Sequence, residues 1–195
     1  MITAALTAAI SMTSTAEQLI DVYAGVDYRT MESEFTENDS TNLAGYIAFE
    51  HFIPLMPNVK FKSAYLNGSS EGHSATNTIL YYKFFDNGLI EANAGVAYTN
   101  IKSATDEASI PQTYLAGRLY IPNTSFNVFG EMIQGSIVSD GSSHFEMGAS
   151  YRFVPRYLLI DVALRAGYHS RTVNFASSAS DRVTEGLFMG VETHF

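Results

Sequence analysis

Gly186-Leu187-Phe188-Met189-Gly190-Val191-Glu192-Thr193-His194-Phe195 is the stretch that decides the fold. Taken with a period of two, Leu187, Met189, Val191, Thr193 and Phe195 share one face, and Gly186, Phe188, Gly190, Glu192 and His194 share the other. One face is apolar, while the opposite one mixes glycine, an acid and an imidazole. The pattern predicts a β-strand that ends on the aromatic residue Phe195. A soluble β-protein could end this way too, so the rest of the chain has to decide.

Working back from that strand, composition narrows the choice. The 195 residues suffice for one domain, and nothing marks a linker. Hydrophobic residues make up 46%, yet no apolar run approaches the roughly 20 residues of a membrane-spanning helix. A membrane-spanning barrel stays open, because its strands alternate. Cysteine is absent, which removes disulfides and thiolate metal sites. Tryptophan is absent as well, but 12 Tyr and 13 Phe can supply interfacial aromatic belts. Residues 1–16 are small and apolar and end in Ser14-Thr15-Ala16, like the apolar region and cleavage site of a secretory signal, although no Lys or Arg precedes them. The domain expectation is therefore a partial, cleaved signal over 1–16 and a barrel over 17–195.

From Leu19 onward, alternating segments recur between turn signals. Strands are expected at Leu19 to Arg29, Asn42 to Ile53, Val59 to Leu66, Asn77 to Phe85, Leu89 to Ile101, Gln112 to Ile121, Ser125 to Ile133, Ser143 to Phe153, Tyr157 to His169 and the closing stretch. Asp86-Asn87-Gly88 is a strong tight-turn signal; Pro54 with Pro57, Pro122-Asn123-Thr124 and Pro155 mark the other short connections. Polar loops are expected at Glu32 to Thr41, Asn67 to Ala75, Lys102 to Ser109, Gly135 to Ser142 and Ser170 to Asp181. Long and short connections thus alternate strictly. The fold class is all-β, an antiparallel up-and-down transmembrane barrel of ten strands, with eight as the alternative. The asymmetry fits a barrel with short turns on one side of a membrane and longer loops on the other.

The charges assign the faces. Asp21, Asp27, Glu50, Glu91, Glu131, Glu146, Asp161 and Glu192 fall on the polar face with Arg29, Lys60, Lys62, Lys83, Arg118, Arg152 and Arg165. Lipid cannot host them, since Arg or Lys at the bilayer midplane costs about 2–4 kcal/mol. The charged face therefore points inward as a lumen charge network, with Tyr23, Tyr46, Tyr81, Tyr114, Tyr120, Phe129 and Phe188 adding bulk. Side chains can largely fill a barrel of this size, so the lumen is expected to be plugged or very narrow. The net charge of −9 then comes mostly from the loops, where Glu32, Glu34, Glu37, Asp39, Glu71, Asp106, Glu107, Asp140, Asp181 and Glu185 outweigh Lys102, Arg171 and Arg182. An acidic rim disfavours nucleic acid.

Catalytic chemistry has little to rest on. His144 with Asp140, and His169 with Asp181, could each place a base beside a carboxylate at the outer edge, near Ser142, Ser143 and Ser170. No P-loop, dinucleotide fingerprint or paired-His metal motif occurs. The expectation is no enzyme, no cofactor and no metal.

Gly45-Tyr46-Ile47-Ala48-Phe49-Glu50-His51 with Ile53-Pro54-Leu55-Met56-Pro57-Asn58-Val59, Tyr81-Tyr82-Lys83, Asp86-Asn87, Val22-Tyr23-Ala24-Gly25 and the closing strand to Phe195 resemble a family of small Gram-negative outer-membrane β-barrel proteins of unassigned function, in the OmpA-like or porin-like superfamily. His51-Phe52-Ile53-Pro54 departs slightly from it, where Pro would directly follow the His. The resemblance implies the bacterial outer membrane, with outer-membrane lipid, lipopolysaccharide and the assembly machinery as partners, the last reading Phe195 as its signal. It implies no catalytic or ligand residues. The functional expectation is a structural or surface-interaction component of the cell envelope; a narrow channel for ions or small solutes is the alternative, and a rim enzyme acting on lipid or peptide the second alternative.

Overall fold

The computed structural model describes residues 20–33, 40–51, 53, 55–66, 73–102, 107–137, 140–153, 160–174 and 182–195. The expected signal segment lies outside them. Ten strands follow in chain order: β1 (Ile20–Ser33), β2 (Ser40–His51), β3 (Asn58–Leu66), β4 (His73–Asp86), β5 (Ile90–Lys102), β6 (Glu107–Tyr120), β7 (Phe126–Ile137), β8 (Asp140–Phe153), β9 (Asp161–Asn174) and β10 (Arg182–His194). Each pairs antiparallel with its neighbours in sequence, and β1 pairs with β10 to close the barrel. The seam runs from Tyr23 opposite His194 to Ser33 opposite Thr184, and Val22 and Phe195 exchange backbone bonds of 3.2 and 2.9 Å below it. Closure gives every strand a paired neighbour on both sides, the condition for crossing hydrocarbon with strands.

Two connections show how local sequence sets the turns. Gly88 has a φ of 78°, where a side chain is disfavoured, and Asn87 Oδ1 accepts from the backbone N–H groups of Leu89 and Ile90 at 3.0 and 2.8 Å. At the next turn Asn123 takes the same left-handed region with a φ of 61°, and Thr124 N–H donates to Ile121 O at 3.2 Å.

The strands run further toward the loops than hydropathy predicts. Glu107 to Ser109, His73 to Ala75, Gly135 to Ile137 with Asp140 to Ser142, and Ser170 to Asn174 were expected in loops but continue the ladders. At this height the outer face turns polar, with Thr30, Thr41, Thr76, Lys102, Glu107, Ser109, Thr113 and Gln134 exposed. Backbone pairing needs no apolar outer face, so the strands persist where the apolar-outside signal is gone. Tyr157 to Leu159, expected at the start of the ninth strand, and Pro155 lie outside the described residues.

Below that collar the exterior is apolar. Val26, Leu43, Val96, Leu115, Met147, Leu164, Leu187 and Met189 all point outward and are exposed. Phe49, Phe84, Phe85, Phe126, Tyr151 and Phe153 ring the turn side, and Tyr28, Tyr98 and Phe145 stand toward the loop side. The register shift between Lys83 and Phe85 puts both Phe84 and Phe85 on the exterior. Such a surface, an apolar band between aromatic girdles, is suited to a bilayer and not to water.

The exterior makes a measurable demand. Met189→Arg, at the middle of the apolar band, is expected to destabilise the barrel in lipid vesicles by about 2–4 kcal/mol, whereas Thr113→Arg in the polar collar changes it by about 0–1 kcal/mol. Equal effects at both positions in urea unfolding would mean that the band does not meet lipid.

Candidate functional site

Among the described residues, charged side chains converge in the lumen. Glu131 on β7 and Glu146 on β8 stand directly opposite each other in the ladder, an arrangement that is repulsive unless cations intervene. Lys62 on β3, across the barrel, supplies one: its Nζ donates to Glu131 Oε1 and, at 3.3 Å, to Glu146 Oε2. Lys60 also donates to Glu131. Arg29 Nη2 donates to Glu146 Oε2 at 2.7 Å, and Arg165 Nη2 donates to Glu146 Oε1. Asp27 lies 3.3 Å from both Arg29 and Arg165. Five strands thus meet in one buried network, and β3 and β8 sit on opposite walls of the ring.

Toward the turns the network continues through Arg165, whose Nη1 donates to the Tyr46 hydroxyl at 2.6 Å, while that hydroxyl donates to Glu192. Arg118 grips Glu192 in a bidentate fork with both bonds at 3.1 Å. Tyr46 can lie across the lumen because Gly25 faces it; a Cβ on Gly25 would come 2.3 Å from the ring. The Arg165 guanidinium also stacks over Phe129, 4.6 Å from the ring centroid. Lower still, Lys83 lies 2.9 Å from Glu50 and 3.8 Å from Glu91, and Tyr81 donates to Glu50 at 2.7 Å. A cavity of about 80 Å³ remains here, lined by Tyr23, Tyr46, Glu50, Lys60, Arg118 and Glu192 among others. It has room for a few water molecules.

The remaining members of the expected network sit at the turn-side rim and are part-exposed. Arg152 lies 3.8 Å from Asp161, and Asp21 lies 3.4 Å from His194, whose ring stacks on Tyr23.

The lumen also holds apolar residues beside the tyrosines that the sequence places there. Ile79, Ala97, Ile133, Tyr81 and Tyr114 form one buried apolar cluster, and Ala75, Ile101, Ala108, Ile110 and Val173 form another nearer the loops. Between them Thr99 Oγ1 bridges the amides of Asn77 and Gln112, and Gln112 donates to Ser142 O. Period two puts these isoleucines on the inner face, but hydropathy alone does not place an Ile in a charged lumen.

Three placements correct the sequence reading. Arg171, expected beside a loop, is buried in the lumen because β9 continues past it. His144 and His169, expected as bases at the exposed rim, are buried as well. His144 Nε2 lies 3.9 Å from Glu146, and His169 Nε2 lies 3.1 Å from Thr30 O. Neither imidazole is open to a substrate at the outer edge. Asp181 and the side chain of Asp140 lie outside the described residues, as do Glu34, Glu37, Asp39, Glu71 and Asp106 of the expected acidic rim. The strand residues Lys102 and Glu107 form an exposed pair at 3.0 Å. Among the described residues, no group of three or more His, Asp or Glu is placed to hold a metal ion.

No family model matches the chain, and no curated protein matches it. Among solved structures it is similar to Neisserial surface protein A, at 14% identity over 89% of this chain and 95% of that one, with a TM-score of 0.39. It is also similar to the CymD monoaromatic hydrocarbon channel, at 7% identity over 90% and 87% with a TM-score of 0.40. A third is the attachment invasion locus protein of Yersinia pestis, at 10% identity over 90% and 97% with a TM-score of 0.25. At these scores none of them lends a role to this chain.

The geometry around Glu131 and Glu146 fixes an order of importance. Lys62→Met leaves two facing carboxylates short of their shared cation and is expected to destabilise the barrel by about 3–5 kcal/mol. Arg152→Met at the part-exposed rim is expected to cost about 1 kcal/mol or less. Urea unfolding of the refolded chain checks the pair, and a rim substitution as costly as the central one would refute the network's role.

Proposed function

We propose that the chain is a bacterial outer-membrane barrel with a closed lumen, serving the cell envelope through its exterior and its loops as a structural or surface-interaction component. The observation that carries this reading is the ion network from Lys62 to Glu146, which joins opposite walls of the barrel at mid-lumen. The apolar cluster around Ile101, Ile110 and Val173 closes the loop side above it. A solute would have to break several buried ion pairs and displace branched side chains to pass. Localisation rests on the chain's own inside-out polarity: a closed strand barrel, apolar outside between aromatic girdles and charged within. On this reading the partners are outer-membrane lipid and lipopolysaccharide around the band, with the assembly machinery engaging the closing strand at Phe195.

A narrow channel for ions or small solutes is the second reading, and the cavity beside Arg118 and Glu192 favours it. It requires the Glu131–Glu146 network to open.

Planar-bilayer recording of the refolded chain separates the two. The closed barrel predicts a silent membrane for the native chain and for Arg118→Gln, with folding confirmed by heat-dependent gel migration. Discrete native openings whose ion selectivity changes in Arg118→Gln would replace the closed reading with the channel.

A further inference from the structure

Among the described residues, Arg171 is a buried cation outside every ion pair. It is 5% exposed, no carboxylate of the described residues lies within 4.0 Å of it, and its Nη1 has no hydrogen-bond acceptor among them. A buried guanidinium without a counter-charge is costly, so pairing is the rule. The carboxylates nearest in the network are already engaged. Glu146 accepts from Arg29, Lys62 and Arg165, and Glu131 accepts from Lys60, Lys62 and Tyr114. Around these two carboxylates and Asp27, the cations Arg29, Lys60, Lys62, Arg165 and Arg171 are in excess by two.

His144 stands directly opposite Arg171 in the β8–β9 ladder, so the two side chains leave the wall side by side. It is 3% exposed, and neither ring nitrogen has a hydrogen-bond partner among the described residues. In either neutral tautomer one ring nitrogen is a donor. Two adjacent buried side chains therefore offer N–H groups without acceptors, in a region of surplus positive charge.

We propose that Arg171 and His144 form a binding site for one small inorganic anion of the halide class, inside the loop-side end of the lumen. Val173, two residues from Arg171 on the same inner face, packs with Ile101 and Ile110, and Ser142, two residues from His144, already accepts from Gln112, so the surroundings of the pair are apolar or engaged and suit a compact monovalent ion. The anion completes the charge balance of the Glu131–Glu146 network. It does so whether or not the lumen conducts, so conductance data leave this site untouched.

Bromide is the probe. The full chain, refolded in detergent, is unfolded in urea while sodium bromide replaces sodium gluconate at constant ionic strength. The native chain is expected to gain stability saturably, with the folded-to-unfolded ratio rising about tenfold when bromide exceeds its dissociation constant about tenfold. Arg171→Met is expected to lose this dependence and to be at least as stable as the native chain in gluconate, since it removes a buried charge that lacks its counter-ion there. Native and variant chains with the same bromide response would overturn the site. If Arg171→Met does not fold, anomalous scattering from native crystals grown in millimolar bromide decides: a peak between Arg171 and His144 supports the site, and none there, or one only at molar bromide, overturns it.

Discussion

Two carboxylates, Glu131 and Glu146, face each other in the middle of the lumen, and much of the interior is arranged around making that tolerable. Alone, the pair would be repulsive across adjacent strands. Lys62 bridges it from the opposite wall, Arg29 and Arg165 reach Glu146 from β1 and β9, and Lys60 reaches Glu131 from β3. These are long side chains with rotamer freedom to lose, so each must be held by more than one contact. Arg165 is held by Glu146, Asp27, the Tyr46 hydroxyl and the face of Phe129 together. Tyr46 in turn needs the bare backbone of Gly25 beneath its ring. A glycine on β1 thereby helps orient a guanidinium on β9.

The exterior follows from the same constraint turned around. Lipid takes Leu187, Met189 and Val96 without penalty but takes no charge, so the polar set is confined to the lumen. Where the band ends, the outer face turns polar while Ile101, Ile110 and Val173 stay inside, and the ladders continue to Asn174 on β9 and start at Glu107 on β6. The barrel wall is therefore taller than its apolar band.

That is also where sequence reading lost its purchase. The period-two alternation marked all ten strands and their facing in the apolar band, and Asp86-Asn87-Gly88 marked its turn, because both signals are local. Strand ends in the polar collar lack the apolar-outside alternation of the band, and Arg171, read beside a loop, is in the interior because β9 continues past it. The histidines follow the same rule: His144 and His169, read at strand ends near the outer edge, lie buried because β8 and β9 run on past them toward the loops. Ile101 and Ile110 show a different limit. In the collar the alternation is inverted, with Lys102 and Ser109 outside and these isoleucines inside, so a rule that sends charge inward gives no place to Ile101 packed with Val173. The pairing of Lys62 with Glu146 across five strands was beyond reach, since spacing along the chain says nothing about which walls face each other.

Hydrocarbon outside removes a device that soluble sheets use to fix their register. In water, a slip of one residue exposes the apolar face and is penalised by solvent; in a bilayer, an all-apolar strand could slip freely. The buried charges supply the missing penalty. Sliding β8 by one residue would turn Glu146 toward lipid and leave Lys62, Arg29 and Arg165 without their acceptor. Buried ion pairs are poor sources of net stability compared with apolar packing, but the loss of one partner is severe. The lumen network is thus better understood as the element that makes one register unique, with the filled interior as its consequence.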